Sequence, residues 1–294
     1  MTVLLGLPRR RGATAAVQLA AQLARSLRED LIVCTVVPAP WPAGVGRIDA
    51  EYQQHLDEAA AEALARARAS APEDVAATFH VERARSTPAG LLHVAERTGA
   101  DLLVLGSARS GGIGRVSFGG VTERLLHSSH IPVALAPRGF RCRPATRVTR
   151  LTAAFGAAEG SAGFVLAAAG MATRLHVPLR VASFAVRPRP PLTAGIGSRA
   201  ESSLVEEWVA DVGRAQHEVL DRVKALPEAP PAQGVVGRGT DWDDALEDIG
   251  WDDGDVLTVG SSSVGPLARV FLGSRSSKIV RSSPVPVVVV PRHG

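Results

Sequence analysis

Residues 101–138 read DLLVLGSARSGGIGRVSFGGVTERLLHSSHIPVALAPR, and residues 255–292 read DVLTVGSSSVGPLARVFLGSRSSKIVRSSPVPVVVVPR. The two stretches align without a gap at an offset of 154 residues, with 14 of the 38 positions identical. A match held in register over that length means two copies of one unit, each of about 145 residues, an ordinary domain size. The identities include Gly106/Gly260, Ser107/Ser261, Gly111/Gly265, Arg115/Arg269, Gly119/Gly273 and Pro132/Pro286. Two copies are too few for a solenoid, which needs three or more stacked units. A fused pseudo-dimer is the expectation, with domains at 1–140 and 147–294 and a linker where Arg, Pro and Cys142 interrupt the periodicity.

Outward from the repeat, each half alternates short β-rich runs with longer helical patterns, the signature of a parallel sheet with crossover helices. The expected strands are 3–6, 31–37, 78–81, 102–105 and 133–136, then 147–154, 179–186, 235–238, 256–259 and 285–290. The runs at 102–105 and 285–290 are apolar without alternation, as where both sheet faces are covered. Ala16, Leu19, Ala20, Leu23 and Leu27 mark one helix face, residues 51–69 form an Ala-rich second helix, and Ser86-Thr87-Pro88 starts a third. Thr240 is the expected cap of a helix that opens on Asp241, Asp243 and Asp244. Residues 37–46, 187–203 and 227–234 read as mobile loops. The fold class is therefore α/β, two tandem open parallel five-stranded sheets with helices on both faces. The runs 133–136 and 285–290 would be aggregation hazards as bare edges, so pairing the halves through them is expected.

Composition excludes several classes. The net charge of +4 comes from Arg spread over both halves, with Lys only at positions 224 and 278, so no basic face points to nucleic acid. Cys34 and Cys142 have neither CxxC nor metal-ligand spacing and suggest a reducing compartment. The VLLGL run is too short for a membrane span and lacks a charged segment before it, so a cytoplasmic protein is expected. GxGxxG after a first strand, GxxxxGK[ST] and GxSxG are all missing, and His80, His93 and His127 stand apart from any acid at a telling spacing.

The chemistry lies after the fourth strand of each half. Gly260-Ser-Ser-Ser263 is followed nine residues later by Gly273-Ser274, and Gly106-Ser-Ala-Arg109 by Gly119-Gly120. Glycines there let backbone N–H groups approach a ligand, and the following helix N-terminus adds unsatisfied donors, an arrangement suited to phosphate oxygens. The same glycines can also do no more than turn the chain.

The whole pattern resembles the universal stress protein family in its tandem two-domain form, most specifically in the strand–glycine loop–helix–PVxVxP units of the repeat. The resemblance implies a Rossmann-like nucleotide-binding α/β fold, a G-x2-G-x9-G-[S/T] loop around ATP phosphates, and an Asp ending strand one near the adenosine. By that pattern Gly260, Ser261, Ser263, Gly265, Gly273, Ser274 and Arg275 form the better preserved nucleotide site. The second motif glycine is Arg109 in the first half and Ser263 in the second, a costly place for a side chain if φ is positive. The strand-one Asp is replaced by Pro8 and by Phe155. Arg9, Arg10, Gly106, Ser107, Arg109, Arg115, Gly119 and Gly120 then form either an Arg-rich anion pocket or a degenerate site with solvated arginines.

Phe155 reads as core before base-stacking platform, Trp208, Trp242 and Trp251 as packing residues, and the acids from Asp241 to Asp255 as a solvated helix surface rather than a metal site. The implied function is stress response or signalling by weak binding of ATP or another adenine nucleotide in the second domain, without turnover. The alternative is a ligand-free scaffold that recruits a protein partner, with slow ATPase activity third because the strand-one acids are gone.

Overall fold

The computed structural model describes residues 2–9, 12–39, 46–156, 161–187, 198–261 and 273–291, over 46–49 and 198–205 by backbone only. The first half runs β1 (Thr2–Gly6), α1 (Thr14–Leu27), β2 (Leu31–Pro38), α2 (Gly46–Ser70), β3 (Ala77–Ala84), α3 (Thr87–Thr98), β4 (Ala100–Gly106), α4 (Gly120–Ser128), β5 (Val133–Ala136). The second runs β6 (Arg150–Ala154), α5 (Ser161–Leu175), β7 (Leu179–Val186), α6 (Ser198–Lys224), β8 (Ala232–Gly239), α7 (Trp242–Glu247), β9 (Asp255–Gly260), α8 (Ser274–Ser282), β10 (Val287–Val290). Of the expected mobile loops, residues 40–45 and 188–197 lie outside the described residues.

The two five-stranded parallel sets join edge to edge through β5 and β10 into one ten-stranded sheet, in the order β3-β2-β1-β4-β5-β10-β9-β6-β7-β8. All strand pairs are parallel except β5–β10, which is antiparallel with Ala134 opposite Val288. The strand order is mirrored about that pair, as a pseudo-two-fold axis requires. Val133, Val287, Val288 and Val289 are all buried there, and burying one Val contributes about 1.5–3 kcal/mol. The outermost strands β3 and β8 are half exposed, and β3 carries Glu82 and Arg83, charges that discourage further pairing.

Each face of the sheet carries one core that spans both halves. Leu19, Leu23 and Ala20 of α1 and Ala63 of α2 share a cluster with Val165 and Ala169 of α5 and Val223 of α6. Leu91 of α3 and Leu125 of α4 share the other with Leu246 of α7 and Val280 of α8. Polar contacts tie the first half to the linker that follows it. Buried Arg25 donates to both oxygens of Asp74, at 2.6 and 2.8 Å, and to the Thr146 carbonyl, while Arg147 donates back to the Arg25 carbonyl.

Local signals act as the sequence suggests at one helix start and differently at another. Ser86 caps α3 by accepting from the Ala89 N–H, with proline in the first turn. In α7 the cap is Asp241, which accepts from the Asp244 N–H, and Thr240 instead bonds the Asp244 carboxylate. Asp255 is not part of the solvated acidic surface. It is buried at the amino end of β9, where its carboxylate accepts from Arg150 and from the Asp252 N–H. Arg180 lies beside it, stacked 4.6 Å from the Trp251 ring and donating to the Ile249 and Gly250 carbonyls. Burial, then the neighbouring Arg150 charge, pushes Arg180 down to about 10, still protonated at neutral pH. This cluster sits at the opposite strand ends from the glycine loops and serves the fold.

Candidate functional site

In an open α/β sheet, ligands bind beyond the carboxyl ends of the strands where neighbouring connections diverge to opposite sides. That point lies between β1 and β4 in the first half and between β6 and β9 in the second, and a cleft opens at each.

The second cleft encloses about 370 Å³ and brings Gly260, Ser261, Gly273, Ser274 and Arg275 together at the start of α8. Ser263 and Gly265 lie outside the described residues. The Ser261 N–H is not available to a ligand, since it donates to the Val290 carbonyl. Gly273 is the N-cap of α8 at φ −60, with no side chain closing the helix end. Five aromatic side chains also line it, Phe155, Phe164, Phe184, Trp208 and Trp242, beside smaller residues such as Ala154, Val259 and Ile279. Phe155 is therefore both core, at 7% exposure, and cavity wall. Trp208 and Trp242 also line the cleft, whereas Trp251 packs on Arg180 as expected of a packing residue. Gly260 gives this wall room, because a Cβ there would press on the Phe164 ring at 3.0 Å and force it to shift.

The first cleft encloses about 420 Å³ and is lined by Arg9, Gly106, Ser107, Arg109, Gly119 and Gly120 among others. Arg10 lies outside the described residues. Arg115 does not join them. Its guanidinium reaches across to α7, 2.8 Å from Glu247 and 3.8 Å from Asp243, because the seam places α7 beside the first glycine loop. Arg281 of α8 reaches back over the Phe118 ring at 4.7 Å.

Ser107 is also occupied. Its hydroxyl donates to the Ala136 carbonyl and accepts from the Ser117 N–H. The Ala108 N–H donates to the Ser117 carbonyl, and the Gly111, Gly114 and Arg115 N–H groups donate to carbonyls of the loop and of Arg138. The first loop is thus closed on itself. Arg109 is not in the left-handed region, nor are Gly106, Gly119, Gly120, Gly260 and Gly273, so its side chain carries no backbone strain. Bulk, not φ, separates it from the second motif glycine.

Strand register corrects one equivalence. The Leu7 N–H donates to Cys34 and the Phe155 N–H to Ala182, both at 2.7 Å, so Phe155 corresponds to Leu7 and Pro8 to Gly156. None of these four positions carries an acid. The same superposition pairs Ala16 with Phe164, since each faces the glycine ending the fourth strand. It also pairs Val36 with Phe184, two residues before the ends of β2 and β7, and Thr87 with Trp242, each directly after an N-cap. Four walls of the second cleft are aromatic where the first has Leu, Ala, Val and Thr. The repeat read outward from the glycine loops can reveal these exchanges, but only strand register fixes the pairing.

Among the described residues no group of three or more His, Cys, Asp and Glu is placed to hold a metal ion, and no helix is long and apolar enough to cross a membrane. Residues 1–137 and 150–291 each match the universal stress protein family. A universal stress protein of Mycobacterium tuberculosis is 39% identical over 298 residues, which cover 99% of this chain and 100% of the relative. A Mycobacterium bovis universal stress protein matches equally, at 39% identity. The crystal structure of a universal stress protein from Archaeoglobus fulgidus shares the fold with a TM-score of 0.60 at 17% identity, covering 99% of this chain and 98% of that one.

Proposed function

This chain belongs to the universal stress protein family, and from that premise we propose that it acts in stress response by holding an adenine nucleotide weakly, without turnover, in its second half. The observation that carries the reading is the second cleft, where five aromatic side chains face Gly273, Ser274 and Arg275 across about 370 Å³. That volume suits a small-molecule site. A ring stacked on Phe155, Phe164 or Trp242 contributes about 1–3 kcal/mol in single-stranded nucleic-acid sites. The uncapped start of α8 offers N–H donors and a positive dipole end to phosphate oxygens. No carboxylate of the described residues lines the cleft, and phosphoryl transfer to water needs groups that hold a metal and orient the nucleophile. The reading is therefore one of retention rather than hydrolysis.

Calorimetric titration of the full chain with ATP tests this. Binding should be lost in Gly273→Val/Ser274→Ala, because the branched side chain enters the cleft at a backbone angle that accepts it. Gly119→Val should leave binding unchanged. The reverse pattern assigns the site to the wrong half. The absence of an acid at Leu7, Pro8, Phe155 and Gly156 favours a second reading, a scaffold without a ligand that recruits a protein partner. Protein purified gently and free of nucleotide by mass spectrometry, together with silent ATP titrations, would select it.

A further inference from the structure

The first cleft has a similar volume and its own uncapped helix start at Gly119, but it lacks the aromatic walls of the second. Its loop amides at Ala108, Gly111, Gly114, Arg115 and Ser117 are spent on internal hydrogen bonds. No aromatic ring and no carboxylate lines it among the described residues. Its apolar lining includes Leu7, Val36, Leu91 and Leu105, with exposed Val121 at the rim and Thr87 and Thr122 beside it. Its cations are Arg9 and Arg109, and neither guanidinium has a carboxylate partner among the described residues. A second cavity of about 270 Å³ shares Leu7, Pro8, Gly12 and Ala13 with the cleft and continues past Val17, Ala63 and Ala67.

We propose that the first cleft binds an aliphatic carboxylate, with the carboxylate between Arg9 and Arg109 and the hydrocarbon against Leu7, Val36, Leu91 and Leu105. Guanidinium matches a carboxylate by paired, charge-assisted hydrogen bonds. Aliphatic walls favour methylene groups by exclusion of water and gain nothing specific from a planar ring. Each buried methylene should tighten binding about fourfold, so affinity should rise from butyrate to octanoate. The site is separate from the nucleotide cleft, and failure of ATP to bind leaves it standing.

The test is calorimetry of the full chain with sodium octanoate, alone and with saturating ATP. Octanoate should bind, octan-1-ol at least tenfold more weakly, and the Arg9→Ala/Arg109→Ala variant should lose at least tenfold in octanoate affinity. Val121 is 38% exposed at the start of α4, where an acid suits the helix dipole. Val121→Glu should therefore fold as the parent does, shown by an unchanged melting temperature, and still lose octanoate by charge repulsion. ATP should not displace octanoate. The proposal is overturned if octanoate fails to bind at millimolar concentration, if the double arginine variant binds it as tightly as the parent, if ATP competes with it, or if Phe164→Ala in the second cleft removes it.

Discussion

The two clefts stand at equivalent points of one mirrored sheet, yet one is walled by rings and the other by aliphatic chains and arginines. Leu7, Ala16, Val36 and Thr87 face Phe155, Phe164, Phe184 and Trp242 across the repeat. These exchanges fall at strand and helix ends, where the wall side chains line a cleft and also pack on the shared cores. The comparison teaches that this scaffold fixes where a ligand sits and leaves its chemistry to a few side chains.

The comparison presumes that both clefts belong to one body, and the strongest way to break it is at the seam. Val288 is 2% exposed opposite Ala134. Val288→Lys should cost roughly 3–5 kcal/mol, the scale of an uncompensated buried charge, read as a lowered urea midpoint for both halves together. Separate transitions, with one half unaffected, would show the halves to be independent. The fragment 147–294, with its β10 edge freed, should self-associate on gel filtration, and a soluble monomer at tens of micromolar would contradict seam pairing.

Trp242→Thr should weaken ATP binding by about 1–3 kcal/mol through lost stacking. The reciprocal Thr87→Trp should not create an ATP site in the first half, since the loop amides there are already bonded. Calorimetry on both variants checks the pair, and a gain of nucleotide binding by Thr87→Trp would show that rings alone make the difference.

Smaller effects test the links between halves. Arg115 and Glu247 are partly exposed, so Glu247→Gln should cost less than about 1 kcal/mol, and less still in high salt. A larger loss in thermal denaturation would give the bridge a greater part in docking α7 on the first loop. At Asp74, hydrogen bonding to the Arg25 guanidinium holds the carboxyl below its usual range. A depressed acid stabilises the fold fully above its unfolded value of about 3.9 and loses that contribution as pH falls through the folded value. Asp74→Asn should therefore destabilise slightly at pH 6, and the gap between variant and parent should close towards pH 3. The size stays small because the Asp74 side chain is 47% exposed.

The strand ends were readable to within three residues at most boundaries, because apolar runs and caps such as Ser86 are local signals. β6 begins at Arg150 and β10 at Val287, both later than the apolar patterns suggest, since pairing with neighbours and not hydrophobicity sets where a ladder starts. The position of the first glycine loop, between β4 and α4, was equally legible. The aromatic wall was not, because Phe155, Phe164, Phe184, Trp208 and Trp242 come from five separate segments, each with an ordinary packing role on its own.

From residue order alone follow the internal repeat, the parallel α/β units, the terminal strands destined to pair, and the glycine loops that mark two switch points. These are carried by spacing and periodicity, which depend on neighbours along the chain. Only the tertiary structure decided that Arg115 crosses to Glu247 rather than facing the cleft, that Ser107 is spent inside its loop, and that Asp255 is buried between two arginines. Short polar side chains and long flexible ones take whatever partner packing brings within a few ångströms, and that distance is set by the joining of the two halves.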